Sequence, residues 1–234
     1  MGRAFEFRRA RKEKRWGKMA VAFTKISKEI TLAVKKGGAD PDTNLRLRVA
    51  IDNAKEVNMP KDKVEAAIKR ATSKEASLEE VVYEGYGPHG IAIVAETATD
   101  NTTRTVGNVR SYFTRAGGTL GTTGSLDFLF ERKGVLQFAA AGHNLEELEL
   151  ELIDFGAEEF AVDEGTVYLY TTFNDFAGMQ KALTQKGIAV TSAQVQRIPL
   201  STNELPPDKA KEVEDLLERL EDDEDVQAVF HTMK

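Results

Sequence analysis

The sequence predicts an α+β protein: an N-terminal three-helix bundle followed by two ferredoxin-like α/β domains, the second inserted in the first. Three observations lead there. Apolar residues recur at helical spacing three times before residue 72. A β-α-β-β-α-β order then runs from Gly134 to Leu200, which is the ferredoxin-like plan. On either side of it lie a β-α-β set and a C-terminal helix and strand, each too small to stand alone. The simplest solution is that these two pieces complete one sheet. The expected domains are 1–76, then 77–133 with 205–234, and the insertion 134–204.

The first third carries nearly all the excess basic charge. Residues 1–75 hold 20 Lys+Arg and 10 Asp+Glu, while the rest of the chain holds 12 and 28 of the totals 32 and 38. A protein of net charge −6 is thus a basic module joined to an acidic body. Such a module is the electrostatic footprint of a nucleic-acid or other polyanion partner. Hydrophobic content of 41% and charged content of 30% are ordinary for a soluble globular protein. The absence of cysteine excludes disulfides, thiolate metal sites and Cys nucleophiles. No apolar run is long enough to span a membrane and no apolar signal core opens the chain, so a cytoplasmic protein without membrane association is expected.

Met1–Lys18 interleaves Phe5, Phe7 and Trp16 with a run of Arg and Lys. It reads either as a solvated, mobile arm or as an arm lying along phosphates, with Trp16 stacking on a base. Met19, Phe23, Ile26, Ile30 and Val34 mark a helix over Met19–Lys36, stopped by Gly37-Gly38. Lys35 and Lys36 sit at the negative end of its dipole, which accounts for them without a ligand. Asp40-Pro41 reads as a restart, and Leu47, Ile51, Ala54 and Val57 give the second stripe, leaving Arg46 and Arg48 off it. A third helix starts at Pro60, with Val64, Ala67, Ile68 and Ala71 inward and Lys61 on its polar side. Three short helices with basic faces suit a helix-turn-helix-like DNA reader, and equally an RNA-binding or ribosome-binding bundle.

A polar linker is expected at 72–80. Val81–Tyr83 and Gly90–Thr97 read as strands, Asn101–Ala116 as a helix and Leu126–Phe130 as the next strand. The glycine run Gly117–Gly124 lacks a following Lys and precedes a strand, so it reads as a helix stop rather than a phosphate loop. In the insertion, Val135–Ala139 is a strand. Asn144–Phe155 is a helix despite its Glu-Leu alternation, because it is long and capped. Glu159–Val162 and Val167–Thr172 form a hairpin across Asp163–Gly165. Phe176–Gln185 is a helix and Ile188–Ile198 holds the last strand. No basic-aromatic strand motif of the RNA-binding kind occurs here, Lys133 being the one strand cation near an aromatic, so this domain reads as a scaffold or protein-binding module. After Pro206-Pro207 come an acidic helix, Asp208–Leu220, and a strand, Val226–Phe230.

No metal or hydrolase motif exists among the three widely spaced histidines, and no catalytic residue, cofactor or metal site is expected. An enzymatic reading would rest on His89, Glu96 and Asp100, which no spacing supports. His89, in a Gly/Pro loop beside Tyr83 and Tyr86, is the best isolated polar candidate, against a locally satisfied turn residue. Asp222–Asp225 reads as a solvated acidic loop at a helix end.

Several runs in the right order resemble the YebC family. They include Phe23–Ile30, Lys36–Pro41, Asn44–Arg48, Ala54–Lys61, Tyr83-Glu-Gly-Tyr-Gly-Pro-His-Gly90, Thr99-Asp-Asn-Thr-Thr-Arg104 and Asp223–Phe230. The resemblance implies a helical first domain, two α/β domains and roles in nucleic-acid binding. Family members are described as transcriptional regulators. Relatives of the mitochondrial translational activator are tied to translation, including relief of ribosomes stalled at proline runs. The family usually opens with Gly-His-Ser-Lys-Trp, where this chain has Gly2-Arg-Ala-Phe-Glu-Phe7. The expected function is a DNA-binding transcriptional regulatory protein acting through the basic helical module, or alternatively a ribosome-associated translation factor on ribosomal RNA. The candidate nucleic-acid-binding residues are Arg8, Arg9, Arg11, Lys12, Lys14, Arg15, Trp16, Arg46, Arg48 and Lys61.

Overall fold

The computed structural model describes residues 3–73 and 77–234, and side chains from Lys18 onward. Three helices come first: α1 (Arg3–Gly37), α2 (Leu45–Glu56) and α3 (Lys61–Ala71). They meet around Ile30, Leu47, Ala50, Ala54, Val64 and Ala67. Each is an apolar stripe too narrow to be stable alone, so burial of the shared core is what holds the helices. Helix α1 starts at Arg3 rather than at Met19, so the basic run lies on a helix and not on a separate arm. Ala, Arg, Lys and Glu dominate that run and favour helix without leaving an apolar period to read.

The turn between α1 and α2 is built on Asn44. Its side-chain oxygen caps α2 by accepting from the Leu47 amide at 3.1 Å, and its Nδ2 donates to the carbonyls of Ala33 and Gly38 at 2.8 and 2.7 Å. A Cβ on Gly37 would stand 2.7 Å from the Asn44 amide, so the close approach requires that glycine. The second helix therefore restarts at Asn44 and not at Asp40-Pro41, which form the turn before it.

The body follows as β1 (Glu79–Tyr86), β2 (Ala92–Thr99), α4 (Thr102–Arg115), β3 (Thr119–Leu120), β4 (Phe130–Ala139), α5 (Leu145–Ile153), β5 (Ala157–Asp163), β6 (Thr166–Thr172), α6 (Phe176–Gln185), β7 (Val190–Pro199), α7 (Pro207–Glu221) and β8 (Val226–His231). Its strands form two antiparallel four-stranded sheets, ordered β3-β1-β2-β8 and β5-β6-β4-β7. The second is the ferredoxin-like order for a β-α-β-β-α-β chain, and it is inserted between β3 and α7 of the first. The insertion leaves and returns through paired residues, Phe130 opposite Pro199. Leu126–Phe130 is not a strand throughout: a 3-10 turn spans Asp127–Leu129 before β4 begins.

Helices α4 and α7 cover one face of the first sheet, burying Ile91, Ile93, Val109, Phe113, Leu216 and Leu220. The other face packs Ala92 and Val94 on Leu126 and Phe130 at the start of the insertion. The insertion has its own core of Leu136, Phe138, Leu152, Leu169 and Leu183, which Val49 of α2 joins. Arg197 of β7 ties the two sheets, donating to Glu96 of β2 and to Asp127, each at 2.9 Å.

Candidate nucleic-acid interface

The candidate interface begins with the basic run of α1. Arg8, Arg9, Arg11, Lys12, Lys14, Arg15 and Trp16 lie on this helix, and their side chains fall outside the described residues. The three candidates elsewhere in the bundle are not brought together. The Lys61 side chain is 90% exposed at the start of α3, and among the described residues it meets Glu65 of the next turn at 3.7 Å. Arg48 turns back onto the carbonyls of Pro41 and Asp42, at 3.2 and 2.9 Å, and so fastens the α1–α2 turn. Arg46 grips Glu80 of β1 together with Lys36. Burial pushes the Glu80 carboxyl up, but hydrogen bonds from Arg46 and Lys36 outweigh it and hold the group below the usual carboxylate range. Lys36, which the helix dipole alone would explain, is thus part of a junction between bundle and sheet.

Further bundle cations are spent on the same junction. Lys18 pairs with Glu218 at 3.5 Å, Lys25 donates to the Glu221 carbonyl at 2.6 Å and Lys28 to the Glu224 carbonyl at 2.9 Å. One side of α1 therefore meets the C-terminal end of α7, where carbonyls without helical partners and the negative end of the dipole favour ammonium groups. Burial lowers the Lys25 ammonium below the usual lysine range, more than Glu221, Asp223 and Asp222 restore it.

Asp225 is the centre of this junction. Its carboxylate is 4% exposed as a residue and accepts from Lys28 Nζ at 2.5 Å, Arg104 at 2.8 Å and Thr105 Oγ1 at 2.8 Å. Desolvation alone would raise its pKa, yet the bonds from Lys28, Arg104 and Thr105 bring it down to about 2. Asn101 caps α4 by accepting from the Arg104 amide at 3.0 Å, which aims Arg104 at both Asp225 and Asp100. Asp223 takes the Tyr112 hydroxyl at 2.9 Å, and burial with that bond pushes the Tyr112 phenol up to about 12. The acidic run at 222–225 is therefore only half solvated, with Asp222 and Glu224 exposed. Two of its members are structural acceptors, and the sequence could have signalled this only through the Thr99–Arg104 and Asp223–Phe230 runs that meet here.

Beside the junction a cleft of about 790 Å³ opens between bundle and first sheet, with Ser27, Lys28, Arg70, Asp100 and Arg104 in its walls. His89, Glu96 and Asp100 do not converge. His89 stands at φ 58° with a ring nitrogen 2.9 Å from Glu212, Glu96 holds Arg197, and Asp100 holds Arg104. The glycine run is organised from beneath by Glu84, which is 2% exposed and accepts the amides of Gly124 and Leu126 at 2.7 and 2.6 Å. Gly117, at φ 79°, stops α4. Among the described residues no group of three His, Cys, Asp or Glu side chains is placed to hold a metal ion, and no helix is long and apolar enough to cross a membrane.

The architecture is that of a basic helical module pinned to a body of two acidic α/β domains. Residues 3–74 match the family described as TACO1/YebC protein N-terminal domain, and residues 78–233 match TACO1/YebC second and third domain. The chain belongs to the TACO1/YebC family. A probable transcriptional regulatory protein of Cytophaga hutchinsonii is 59% identical to it, with 100% of this chain and 98% of that protein covered. One of Parabacteroides distasonis is 57% identical, with 100% and 97% covered. In three dimensions the chain is similar to the crystal structure of a conserved hypothetical protein of Aquifex aeolicus, at TM-score 0.81 and 37% identity over 92% of this chain and 90% of that one.

Proposed function

We propose that this protein is a non-enzymatic, cytoplasmic nucleic-acid-binding regulator of gene expression, acting on DNA through the basic helical module. The observation that carries the reading is the segregation of charge, 20 basic against 10 acidic residues up to residue 75 and 12 against 28 beyond it. Phosphate neutralisation by Lys and Arg releases counterions, and an acidic body keeps the remaining faces off the polyanion. The regulator names of the relatives support the same class. Among the ten candidates, the run Arg8–Arg15 and Lys61 carry the contact, whereas Arg46 ties the bundle to β1 and Arg48 fastens the α1–α2 turn. If about five cations meet duplex phosphate, log K falls against log salt with a slope near −4.5. Binding to a DNA duplex that does not respond to salt would refute the reading.

A second reading places the same module on ribosomal RNA. The strongly acidic body favours it in one respect, because a ribonucleoprotein surface offers basic protein next to polyanion. Co-sedimentation with ribosomes after nuclease treatment supports this alternative, and absence from every ribosomal fraction removes it.

A further inference from the structure

Five of the nine large apolar side chains exposed among the described residues lie between Leu150 and Phe173 of the inserted domain. Leu150 and Ile153 stand one turn apart on the outer side of α5, 69% and 54% exposed, while Leu148 and Leu152 of the same helix are buried. Phe155 follows at 44%. The ladder pairs Ala157 with Thr171, so Phe155 and Phe173 lie two residues beyond it at the same end. A Cβ on Gly156 would come within 2.7 Å of Asp175, which shows how closely the two segments are pressed together there. Phe173 is 47% exposed, with Arg132 over its ring at 4.4 Å. Helix α5 and the loop after it thus carry an apolar patch that their own domain leaves uncovered.

The charge along α5 and the hairpin after it is of one sign, with Arg132 over Phe173 at the patch's edge. Residues 145–165 contain nine carboxylates and no Lys, Arg or His. Among the described residues, Lys186 pairs with Glu151 and Lys133 with Glu158, and the other seven meet no cation. Glu149 and Asp154 flank Leu150 and Ile153 directly. Apolar surface rimmed by polar groups marks an interaction site. A rim of this sign repels nucleic acid and attracts a cationic partner, which fixes the class of occupant.

We propose that the outer side of α5, with Phe155 and Phe173, docks a basic amphipathic protein segment: Lys and Arg meet the carboxylate rim while Leu- or Phe-type side chains cover the patch. The rim speeds and orients the encounter, and the apolar contact sets how long it lasts. The inserted domain then holds a protein partner while the bundle holds the polyanion.

The test uses the full-length protein and a short fluorescent peptide of Lys and Leu with Leu at helical spacing, read by anisotropy. A scrambled peptide of equal composition serves as the comparison. The helical peptide binds, and the scrambled one binds about tenfold more weakly, having charge without an apolar face. The double variant Ile153→Ser, Phe155→Ser loses about tenfold for the helical peptide and not for the scrambled one. The variant Glu149→Gln, Asp154→Asn flattens the salt dependence. All four positions are exposed, and an unchanged thermal transition confirms that each variant folds. Equal affinity for both peptides overturns the proposal, as does full affinity of the Ser variant. A wild-type dimer that the Ser variant turns into a monomer also overturns it, by assigning the patch to a second copy. Binding of a labelled single-stranded oligonucleotide that the Ser variant weakens about tenfold overturns it in favour of nucleic acid.

Discussion

Replacing Asp225 with Asn removes one charge and keeps the side-chain volume. In the native protein its carboxylate joins the bundle, through Lys28, to α4 of the first sheet, through Arg104 and Thr105. The Lys28 and Asp225 side chains are 17% and 6% exposed, whereas that of Arg104 is 48% exposed. Water therefore compensates Arg104 in the variant but compensates Lys28 poorly. The carboxyl moves from its ordinary 3.8 to about 2 on folding, a difference that corresponds to roughly 2 kcal/mol. Breaking a fully buried pair costs about 3–5 kcal/mol, and the exposure of Arg104 places this site below that range. Asp225→Asn is expected to lower stability by about 2 kcal/mol, or about 4–8 °C in Tm for a chain of this size. Because the folded-state pKa is depressed, the contribution is present above the ordinary value and is lost as pH falls from about 4 through about 2. Urea denaturation at neutral pH and at pH near 2 measures both. A cycle with Lys28→Met isolates the pair, with a coupling energy of about 1–2 kcal/mol expected. Additive single and double variants, or a variant as stable as wild type at neutral pH, would refute the reasoning.

Two further outcomes separate structural from phosphate-binding roles. Arg46→Ala costs less than about 1 kcal/mol, its pair with Glu80 being partly exposed, and leaves the salt slope of DNA binding unchanged. Lys61→Ala leaves stability within about 0.5 kcal/mol but makes the slope shallower by about 0.9; the opposite pattern sinks the assignment of both residues. Glu84→Ala strands the amides of Gly124 and Leu126 and costs about 2–3 kcal/mol. Faster hydrogen exchange at those two amides is the accompanying readout, and unchanged protection there would contradict the role given to Glu84.

Local signals in the sequence located most elements. The stripe Met19–Val34 and the restart at Pro60 are visible because helical burial has a period that short windows capture. Helix α5 is ambiguous in sequence, since its Glu-Leu alternation also suits a strand; it is a helix, but only over Leu145–Ile153, and Asn144 donates to the Glu147 side chain at 3.2 Å instead of capping a backbone amide. The start of α1 escaped because a run of Arg, Lys and Glu has helix propensity but no apolar side to mark. Asp225 escaped for a different reason. An acidic residue after a helix looks solvated until its partners are known, and Lys28 and Arg104 lie 197 and 121 residues away. The same distance hid the use of Arg46 and Lys36 on Glu80. Charge in the first third was legible as a sum, but its division between the junction and the exposed side chains was set by tertiary contacts.

The position of β8 has a consequence for how the chain assembles as it is made. The bundle and the insertion each close on residues near one another in sequence, so both can finish while later residues are still being added. The first sheet cannot, because β2, paired with β1 on one side, finds its other neighbour only in Val226–His231, beyond the insertion. Asp225, immediately before that strand, arrives in the same step and receives Lys28 from a helix completed long before. Addition of Asp225 and β8 thus closes the sheet and fastens Lys28 of the bundle to it together, and a chain truncated before Asp225 would keep the bundle's contact with the insertion through Val49 but lose both the outer strand and that ion pair.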